Sequence, residues 1–223
     1  MNSACGERKG RHGRSGWRIL IAGTGGQGVL TAARLLCDSF VALGHDAVSG
    51  QLHGMAQRGG SVQSSVLIDY GISPVIASAR ADCVLGFEPV ETARALPLMS
   101  AGTAVYMNIA PVMPYILGQR YVLKEGNPQY PDVEQLLDNI RAVTPYVFPF
   151  DATRRALEAG SSKTLNIIML GCLFGSALLP FKATDFWNTA ARQMPPRLKE
   201  TNRRAFFIGF ELGTQCHLAE AKP

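Results

Sequence analysis

Hydrophobic and polar positions follow two different rhythms in the first part of the chain. Residues 17–22 form a short, mostly apolar run that ends at glycine, which is typical of a strand buried on both faces. Residues 29–43 instead place apolar side chains three and four positions apart, which predicts an amphipathic helix. Gly44 suits the end of that helix. The fold therefore begins with a central strand, a turn and a helix.

The later part of the chain continues this alternation. Valines alternate with polar residues over 61–68, which predicts a strand with one less buried face, antiparallel to its neighbours. The other strands are predicted at 45–50, 82–86, 103–108 and 146–150. Helices are predicted at 89–99, 132–143, 152–159, 164–178, 183–193 and 199–213. Alternating strands and helices followed by terminal helices predict a three-layer, Rossmann-like α/β domain with a mostly parallel, mixed sheet.

Composition indicates one well-packed domain. Of the 223 residues, 47% are hydrophobic and 17% are charged, which excludes an intrinsically disordered protein. The longest apolar run, at 165–181, contains polar residues, glycines and a proline, so it predicts a buried helix and not a membrane span. We expect residues 1–16 to form a disordered basic tail and residues 17–215 to form a single domain.

The net charge of +5 is concentrated near the N-terminus. Residues 1–18 carry five basic side chains and one acidic side chain, so four of the five net charges lie there. The body of the chain lacks the basic stripe of a nucleic-acid-binding domain, and the first residues lack the apolar stretch of a secretory signal. We expect a cytoplasmic protein that binds neither nucleic acid nor membrane.

The cysteines argue against a metal centre within this chain. There are five of them, and none belongs to a CxxC or CxxxC pair. Such dispersed thiols cannot supply an iron–sulfur or zinc framework, and most lie in apolar surroundings, where a reduced cysteine packs as a small hydrophobic residue. The residues are Cys5, Cys37, Cys83, Cys172 and Cys216.

The sequence GTGGQG at 23–28 joins the first strand to the first helix and fits the pattern GxGxxG. In that pattern Gly23 permits a tight turn, Gly25 permits close approach of a ligand, and Gly28 permits helix–strand packing. The exposed backbone N–H groups at a helix N-terminus attract anions. A classical NAD site also needs an acidic residue about 20 positions later, where this chain has serine, glycine and glutamine. A turn that only permits tight packing remains the alternative.

A second polar loop, HGMAQRGG at 53–60, follows the second predicted strand. Open α/β sheets bind ligands at the edge where this loop is expected. Arg58 and the backbone amides of Gly59 and Gly60 could clamp a carboxylate or phosphate, and His53 could exchange a proton near neutral pH. An interface loop, with Arg58 paired to a carboxylate of a partner, is equally compatible with the sequence.

The remaining polar candidates have structural explanations. Glu88 and Glu91 fall in the first turn of a helix that starts with proline, where acidic side chains interact favourably with the helix dipole. Asn166 stands at the start of an apolar helix and is well placed to cap it. The basic residues between 192 and 204 are typical of a solvated face or a partner contact.

In order along the chain, residues 17–213 resemble the gamma domain of 2-oxoacid:acceptor oxidoreductases. The HGMAQRGG loop is most similar to the small, beta subunit of indolepyruvate ferredoxin oxidoreductases. The segments that carry the resemblance are GTGGQG at 23–28, HGMAQRGGSV at 53–62, ADCVLGFEPVETARAL at 81–96, Asn108 with Pro111 and Pro114, and LNIIMLGCLFGSALLP at 165–180.

The resemblance implies a small subunit of a complex that oxidatively decarboxylates a 2-oxoacid, with an indolepyruvate-like aryl-pyruvate as the leading candidate, to an acyl-CoA. Electrons would pass to ferredoxin. Thiamine diphosphate, Mg²⁺ and iron–sulfur clusters are then expected in a large partner subunit, with coenzyme A as a co-substrate. The isolated chain is expected to hold no metal or cofactor and to be inactive.

No catalytic residue of this chain follows from the resemblance. Its two loops carry over as contact elements that face the active site, with Arg58 as an anion contact to substrate or coenzyme A. The contact candidates are Gly23, Gly25, Gly26, Gln27, Gly28, His53, Gln57, Arg58, Gly59 and Gly60. Two other hypotheses are a stand-alone nucleotide- or anion-binding module built on the glycine turn, and an independent NAD-dependent dehydrogenase.

Overall fold

One sheet of six strands forms the centre of the computed structural model, which describes residues 16–53, 60–112 and 130–220. The strand order is β2-β3-β1-β4-β5-β6; β3 is antiparallel to β1 and β2, and the other paired strands are parallel. The mixed, mostly parallel sheet of the prediction is confirmed. The strands are β1 (Trp17–Thr24), β2 (Ala47–His53), β3 (Ser61–Ile68), β4 (Cys83–Gly86), β5 (Ala104–Asn108) and β6 (Val147–Phe150).

Helices cover both faces of this sheet and complete three layers. The α2 and α3 helices pack on one face, and the other helices pack on the opposite face. None of the helices in the described ranges is long and apolar enough to cross a membrane. The helices are α1 (Val29–Ala42), α2 (Pro89–Arg94), α3 (Val133–Arg141), α4 (Ala152–Ala159), α5 (Leu165–Gly175), α6 (Ala183–Arg192) and α7 (Pro196–Glu220).

The central strand β1 is buried on both faces, as its apolar run predicts. Ile19 and Ile21 contribute to the hydrophobic core beneath α1, α5 and α7, whereas Leu20 and Ala22 contribute to the core beneath α2 and α3. Successive side chains of a strand point to opposite faces, so one continuous apolar run supplies both cores.

Several element boundaries differ from the predictions, and three of the differences have a clear physical reason. The helix predicted at 89–99 ends at Arg94 and is followed by a 3-10 turn at Leu96–Leu98, because Pro97 lacks a backbone N–H and disfavours a helical residue before it. The second strand extends to His53 because it pairs with β3 along its whole length. The last helix begins at Pro196, where the missing N–H of proline costs nothing.

Close backbone contact joins α5 to α7. A Cβ atom built on Gly171 would lie 2.1 Å from the carbonyl oxygen of Phe206, and one built on Gly213 would lie 2.1 Å from that of Cys172. Gly175 and Gly209 make equivalent contacts. Only glycine permits this approach, so glycines on both helices fix the packing of the helix pair that borders the site described below.

Candidate functional site

The glycine turn and the two ends of the second predicted loop, His53 and Gly60, lie at the same edge of the sheet. The strands β1, β2, β4, β5 and β6 end there, and β3 begins there. The backbone N–H of Gly25 donates a hydrogen bond of 2.9 Å to the carbonyl oxygen of Gly60. The glycine turn and the end of the loop at 53–60 are therefore in direct contact.

The glycines of the turn have different structural roles. Gly23 still belongs to β1, and a Cβ there would lie 2.8 Å from Cβ of Phe87 and 2.9 Å from Cγ2 of Val29. Gly26 and Gly28 have φ angles of +107° and +82°, which other residues rarely adopt. We predicted that Gly28 permits packing of helix on strand, but the group packed against it is the side chain of Asn166 at the start of α5.

Gln27 fastens this turn to the sheet. Its side-chain oxygen accepts a hydrogen bond of 2.8 Å from the N–H of Thr24, and its side-chain nitrogen donates one of 2.9 Å to the carbonyl of Phe87. Both ends of the amide are thus engaged with backbone. Gln27 shapes the turn, and its own backbone N–H donates a further hydrogen bond of 3.2 Å to the carbonyl oxygen of Thr24.

Asn108 joins three elements at the same edge. It is fully buried at the end of β5, and its side-chain nitrogen donates to the carbonyl of Phe87 at 2.9 Å and to the hydroxyl of Thr153 at 3.1 Å. Its side-chain oxygen accepts a hydrogen bond of 3.0 Å from the N–H of Ala152, the first residue of α4. The sequence interpretation included Asn108 only in the resemblance, although a polar residue that ends a buried strand was a usable signal.

The two predicted first-turn acids have more specific roles than an interaction with the helix dipole. Glu88 is buried and is the N-cap of α2, where its carboxylate accepts the N–H of Glu91 at 2.9 Å. The other oxygen of the Glu88 carboxylate accepts a hydrogen bond from the hydroxyl of Tyr130. Burial of Tyr130 and its hydrogen bond to Glu88 raise the pKa of the phenol well above its usual value. This group stays protonated and structural at neutral pH.

Glu91 anchors Ser61, the first residue of β3, through its side chain. Its carboxylate accepts a hydrogen bond of 2.5 Å from the hydroxyl of Ser61 and lies 3.4 Å from the guanidinium of Arg94. Ser61 directly follows the loop at 53–60, so Glu91 and Gly25 together anchor the end of that loop. The hydrogen bond to Ser61 was not predicted, because Glu91 and Ser61 are 30 residues apart in the chain.

Two cavities share the glycine turn. The larger, about 720 Å³, lies between the turn, residues 160–167 and residues 193–202. The smaller, about 510 Å³, lies between the turn, the start of α1, Gln51 and Val62. Cavities of this size hold small molecules, and this edge of an open α/β sheet is where such molecules bind.

Part of the predicted contact set lies outside the described residues. Gly23, Gly25, Gly26, Gln27, Gly28 and Gly60 all lie at the sheet edge. His53 ends β2 at this edge, but its side chain is not described, and Gln57, Arg58 and Gly59 fall outside the described ranges. The anion clamp of Arg58 therefore stays a prediction.

The described thiols pack as the sequence predicted. Cys37, Cys83 and Cys172 are buried, and burial raises the pKa of the Cys83 and Cys172 thiols well above the usual range. Across residues 16–53, 60–112 and 130–220, no group of three or more His, Cys, Asp or Glu side chains could hold a metal ion.

Comparison with known proteins gives consistent matches in sequence. The family model of pyruvate ferredoxin/flavodoxin oxidoreductases matches residues 18–212. Indolepyruvate oxidoreductase subunit IorB of Methanothermobacter thermautotrophicus is 32% identical over 194 residues, which cover 87% of this chain and 96% of that protein. The subunit of the same name from Archaeoglobus fulgidus is 31% identical over 192 residues, which cover 86% of this chain and 92% of that protein.

Solved structures share the fold. The gamma subunit of a keto/oxoacid ferredoxin oxidoreductase from Geobacter sulfurreducens superposes with a TM-score of 0.62 at 20% identity, covering 89% of this chain and 99% of that one. The second structure is a 2-oxoglutarate:ferredoxin oxidoreductase from Magnetococcus marinus with 2-oxoglutarate, coenzyme A and succinyl-CoA bound. It superposes with a TM-score of 0.66 at 16% identity, covering 90% of this chain and 31% of that longer chain.

Proposed function

Because the chain belongs to the pyruvate ferredoxin/flavodoxin oxidoreductase family, we propose that it is the small subunit of a complex that oxidises indolepyruvate or a similar aryl-pyruvate. The observation that carries this proposal is the match to 96% of the length of an indolepyruvate oxidoreductase subunit. A chain that corresponds to a whole subunit is better explained as a subunit than as a stand-alone nucleotide- or anion-binding module.

In the proposed reaction a 2-oxoacid and coenzyme A give an acyl-CoA and CO₂, and two electrons pass to ferredoxin. When bound, thiamine diphosphate would supply the electron sink that decarboxylation needs, and iron–sulfur clusters would supply the route for the electrons. We assign these groups and Mg²⁺ to a large partner subunit, since the dispersed cysteines of this chain suit no cluster. The proposed location of the complex is the cytoplasm.

This chain would contribute a binding surface for the co-substrate. Gly26 and Gly28 line both cavities and Gly25 lines the smaller one, and Gln27, Asn108 and Glu91 keep the surrounding backbone in place. Preorganised backbone donors bind anionic groups without the cost of ordering a loop. We propose that coenzyme A contacts this edge and that Arg58 pairs with its phosphates or with the carboxylate of the substrate.

Anaerobic co-purification tests the assignment. The tagged full-length chain is recovered from its native cell extract, and the material is analysed for subunit masses, iron and thiamine diphosphate. The proposal expects a large partner that carries both cofactors, in a fixed ratio to this chain. Recovery of this chain without such a partner would contradict the proposed role as a subunit.

We further propose that residues 1–16 lie outside a single domain of residues 17–215. Deletion of residues 2–16 should leave the yield of the complex and its melting temperature unchanged, because the body of the chain retains its whole core. Loss of the partner in the same co-purification would show that the basic tail takes part in assembly.

A further inference from the structure

The two outermost strands of the sheet differ in how their unpaired sides are protected. β6 is four residues long and includes Pro149, which has no backbone N–H to offer to a further strand. β2 is seven residues long and contains no proline, lysine, arginine, aspartate or glutamate. Within the described ranges no strand pairs with the outer side of β2. A long outermost strand without charge or proline is a template for pairing with another strand.

Exposed apolar side chains lie beside the middle of β2. A Cβ built on Gly50 would lie 2.8 Å from Cβ of Pro74, and the hydroxyl of Ser65 on β3 donates a hydrogen bond to the carbonyl of Pro74. The segment that follows β3 therefore crosses one face of the sheet at the centre of β2. In this segment Ile72 is 96% exposed and Val75 is 74% exposed. Two apolar side chains so exposed beside an unpaired strand indicate a surface that another chain covers.

The sequence of β2 is complementary to itself in the antiparallel direction. In a pairing about a twofold axis through Gly50, Val48 stands opposite Leu52 of the second copy, and Ser49 stands opposite Gln51 of the second copy. Opposite positions of an antiparallel pair lie on the same face of a sheet. Hydrophobic positions thus meet hydrophobic positions, and polar positions meet polar positions.

The charges at the two ends of β2 also suit an antiparallel second copy. Asp46 and Asp69 lie at the start of the strand, where the backbone N–H of Asp46 donates a hydrogen bond of 3.1 Å to the carboxylate of Asp69. That carboxylate also binds Nδ1 of His45 at 2.8 Å. β2 ends at His53. Antiparallel pairing places the acidic start of each strand beside the end of the other, whereas parallel pairing would bring two acidic starts together.

We propose that β2 pairs with β2 of a second copy of this chain, in antiparallel register about a twofold axis through Gly50, so that two six-stranded sheets join into one. Because Pro74 lies over Gly50, this axis brings Ile72 and Val75 of both copies to the same place on one face, where they leave water together. A twofold interface uses the same surface of both partners, so a self-complementary strand favours a second copy over an unrelated strand. The interface goes beyond the proposed function, which concerns a different partner chain.

Analytical ultracentrifugation of the full-length chain over a wide range of concentration tests the interface. We expect a reversible change from 24.0 kDa to twice that mass. Ile72→Lys should raise the dissociation constant of the dimer roughly 100-fold, because each dimer loses two buried apolar side chains and brings two positive charges together. Since Ile72 is almost wholly exposed in the single chain, the variant should keep the melting temperature of the dilute wild type.

Leu157→Lys is the matched control. Leu157 is 60% exposed on α4, the helix that follows β6 on the opposite side of the sheet. The substitution places the same charge on a similarly exposed apolar residue, and it should change the dissociation constant by less than about twofold. Val75→Lys lies within the interface and should raise the dissociation constant roughly 10-fold.

Hydrogen exchange distinguishes strand pairing from any other contact between two copies. The outward N–H groups of β2 become hydrogen-bonded in the dimer, so exchange in residues 47–53 should slow as the concentration rises. Residues 147–150 of β6 should exchange at the same rate at every concentration. Ile72→Lys should keep residues 47–53 at the fast rate.

The proposal fails if the chain keeps a mass of 24.0 kDa over the whole range, or if it forms a dimer without slower exchange at 47–53. Exchange that slows only after a large subunit is added would also contradict it, and would assign the outer side of β2 to that subunit. The subunit assignment is judged separately by co-purification. A monomeric chain that recruits a large partner would therefore keep that assignment and lose the β2 dimer.

Discussion

The two ends of the sheet use buried polar side chains in opposite ways. At the end where β1 begins, Arg18 is nearly fully buried and forms a two-point ion pair with Asp82, at 2.7 and 2.9 Å, with a further hydrogen bond of 3.2 Å to Tyr70. These side chains satisfy one another. At the opposite end, Gln27 and Asn108 bind backbone atoms and hold the chain around two open cavities.

This difference separates a structural end of the sheet from the end that carries the candidate site. A closed network such as that of Arg18 offers nothing to a ligand, and the hydrogen bonds to Asp82 raise the pKa of Arg18 further above its ordinary value. An arrangement in which side chains fix backbone leaves backbone N–H groups to face outward. Substitutions at the first end should therefore change stability alone, and substitutions at the second should change binding.

The largest expected effect is on stability, at the closed end. Asp82→Ala leaves the guanidinium of Arg18 buried without its partner, so the free energy of unfolding should fall by about 3–5 kcal/mol in urea denaturation. The double variant Arg18→Met with Asp82→Leu removes both charges and should lose less than the single variant. A loss below about 1 kcal/mol for Asp82→Ala would show that this ion pair is not important for the fold.

Two glycines of the turn allow a matched test at the open end. Gly28→Ala places a methyl group against Asn166 at a positive φ angle, and should lower stability by about 2–4 kcal/mol and weaken binding of coenzyme A at this edge. Gly26→Ala has the same kind of φ angle but no atom within 4 Å of the new Cβ, so it should cost only about 1–2 kcal/mol. Equal losses in thermal unfolding would show that contact with Asn166 contributes nothing.

Glu91 provides a smaller, local effect. Glu91→Gln weakens the hydrogen bond to Ser61 that anchors the end of the loop at 53–60, and should cost about 1–2 kcal/mol of stability. In the assembled complex we expect the KM for coenzyme A to rise several-fold with kcat little changed. Ser61→Ala should reproduce the change in KM. If either variant lowers kcat with an unchanged KM, anchoring of this loop does not serve coenzyme binding.

The smallest effect concerns pH. The raised pKa of Tyr130 in the folded protein means that its contribution to stability is complete below the pKa of an unfolded tyrosine, about 10, and is lost as the pH rises above it. The stability difference between the wild type and Tyr130→Phe should therefore shrink between about pH 9 and pH 11. A difference that stays constant over this range would contradict the buried hydrogen bond to Glu88.

Local sequence patterns were enough to predict β1, the glycine turn and α1, because one apolar run and one helical period specify them. The alternation over 61–68 also predicted the antiparallel strand correctly. The rule that parallel strands end at one edge of a sheet predicted the position of the second loop. The hydrogen bond from Gly25 to Gly60 places the end of that loop at this edge, beside the glycine turn.

Contacts between distant residues could not be predicted in the same way. The placement of Asn166 beside Gly28 depends on how α5 packs against α1, and the hydrogen bond between Glu88 and Tyr130 spans 42 residues. The sequence at the start of a helix identifies a candidate capping residue. It does not identify the atoms that lie near the other polar atom of that side chain. The position of Asn166 could therefore be known only from the packed structure, whereas the family resemblance needed only motifs in order.

The most direct test of the subunit assignment is the rate of indolepyruvate-dependent ferredoxin reduction by the anaerobically purified large subunit, with and without this chain. The account predicts a rate that depends on coenzyme A and appears only when this chain is added back. An equal rate from the large subunit alone would contradict it.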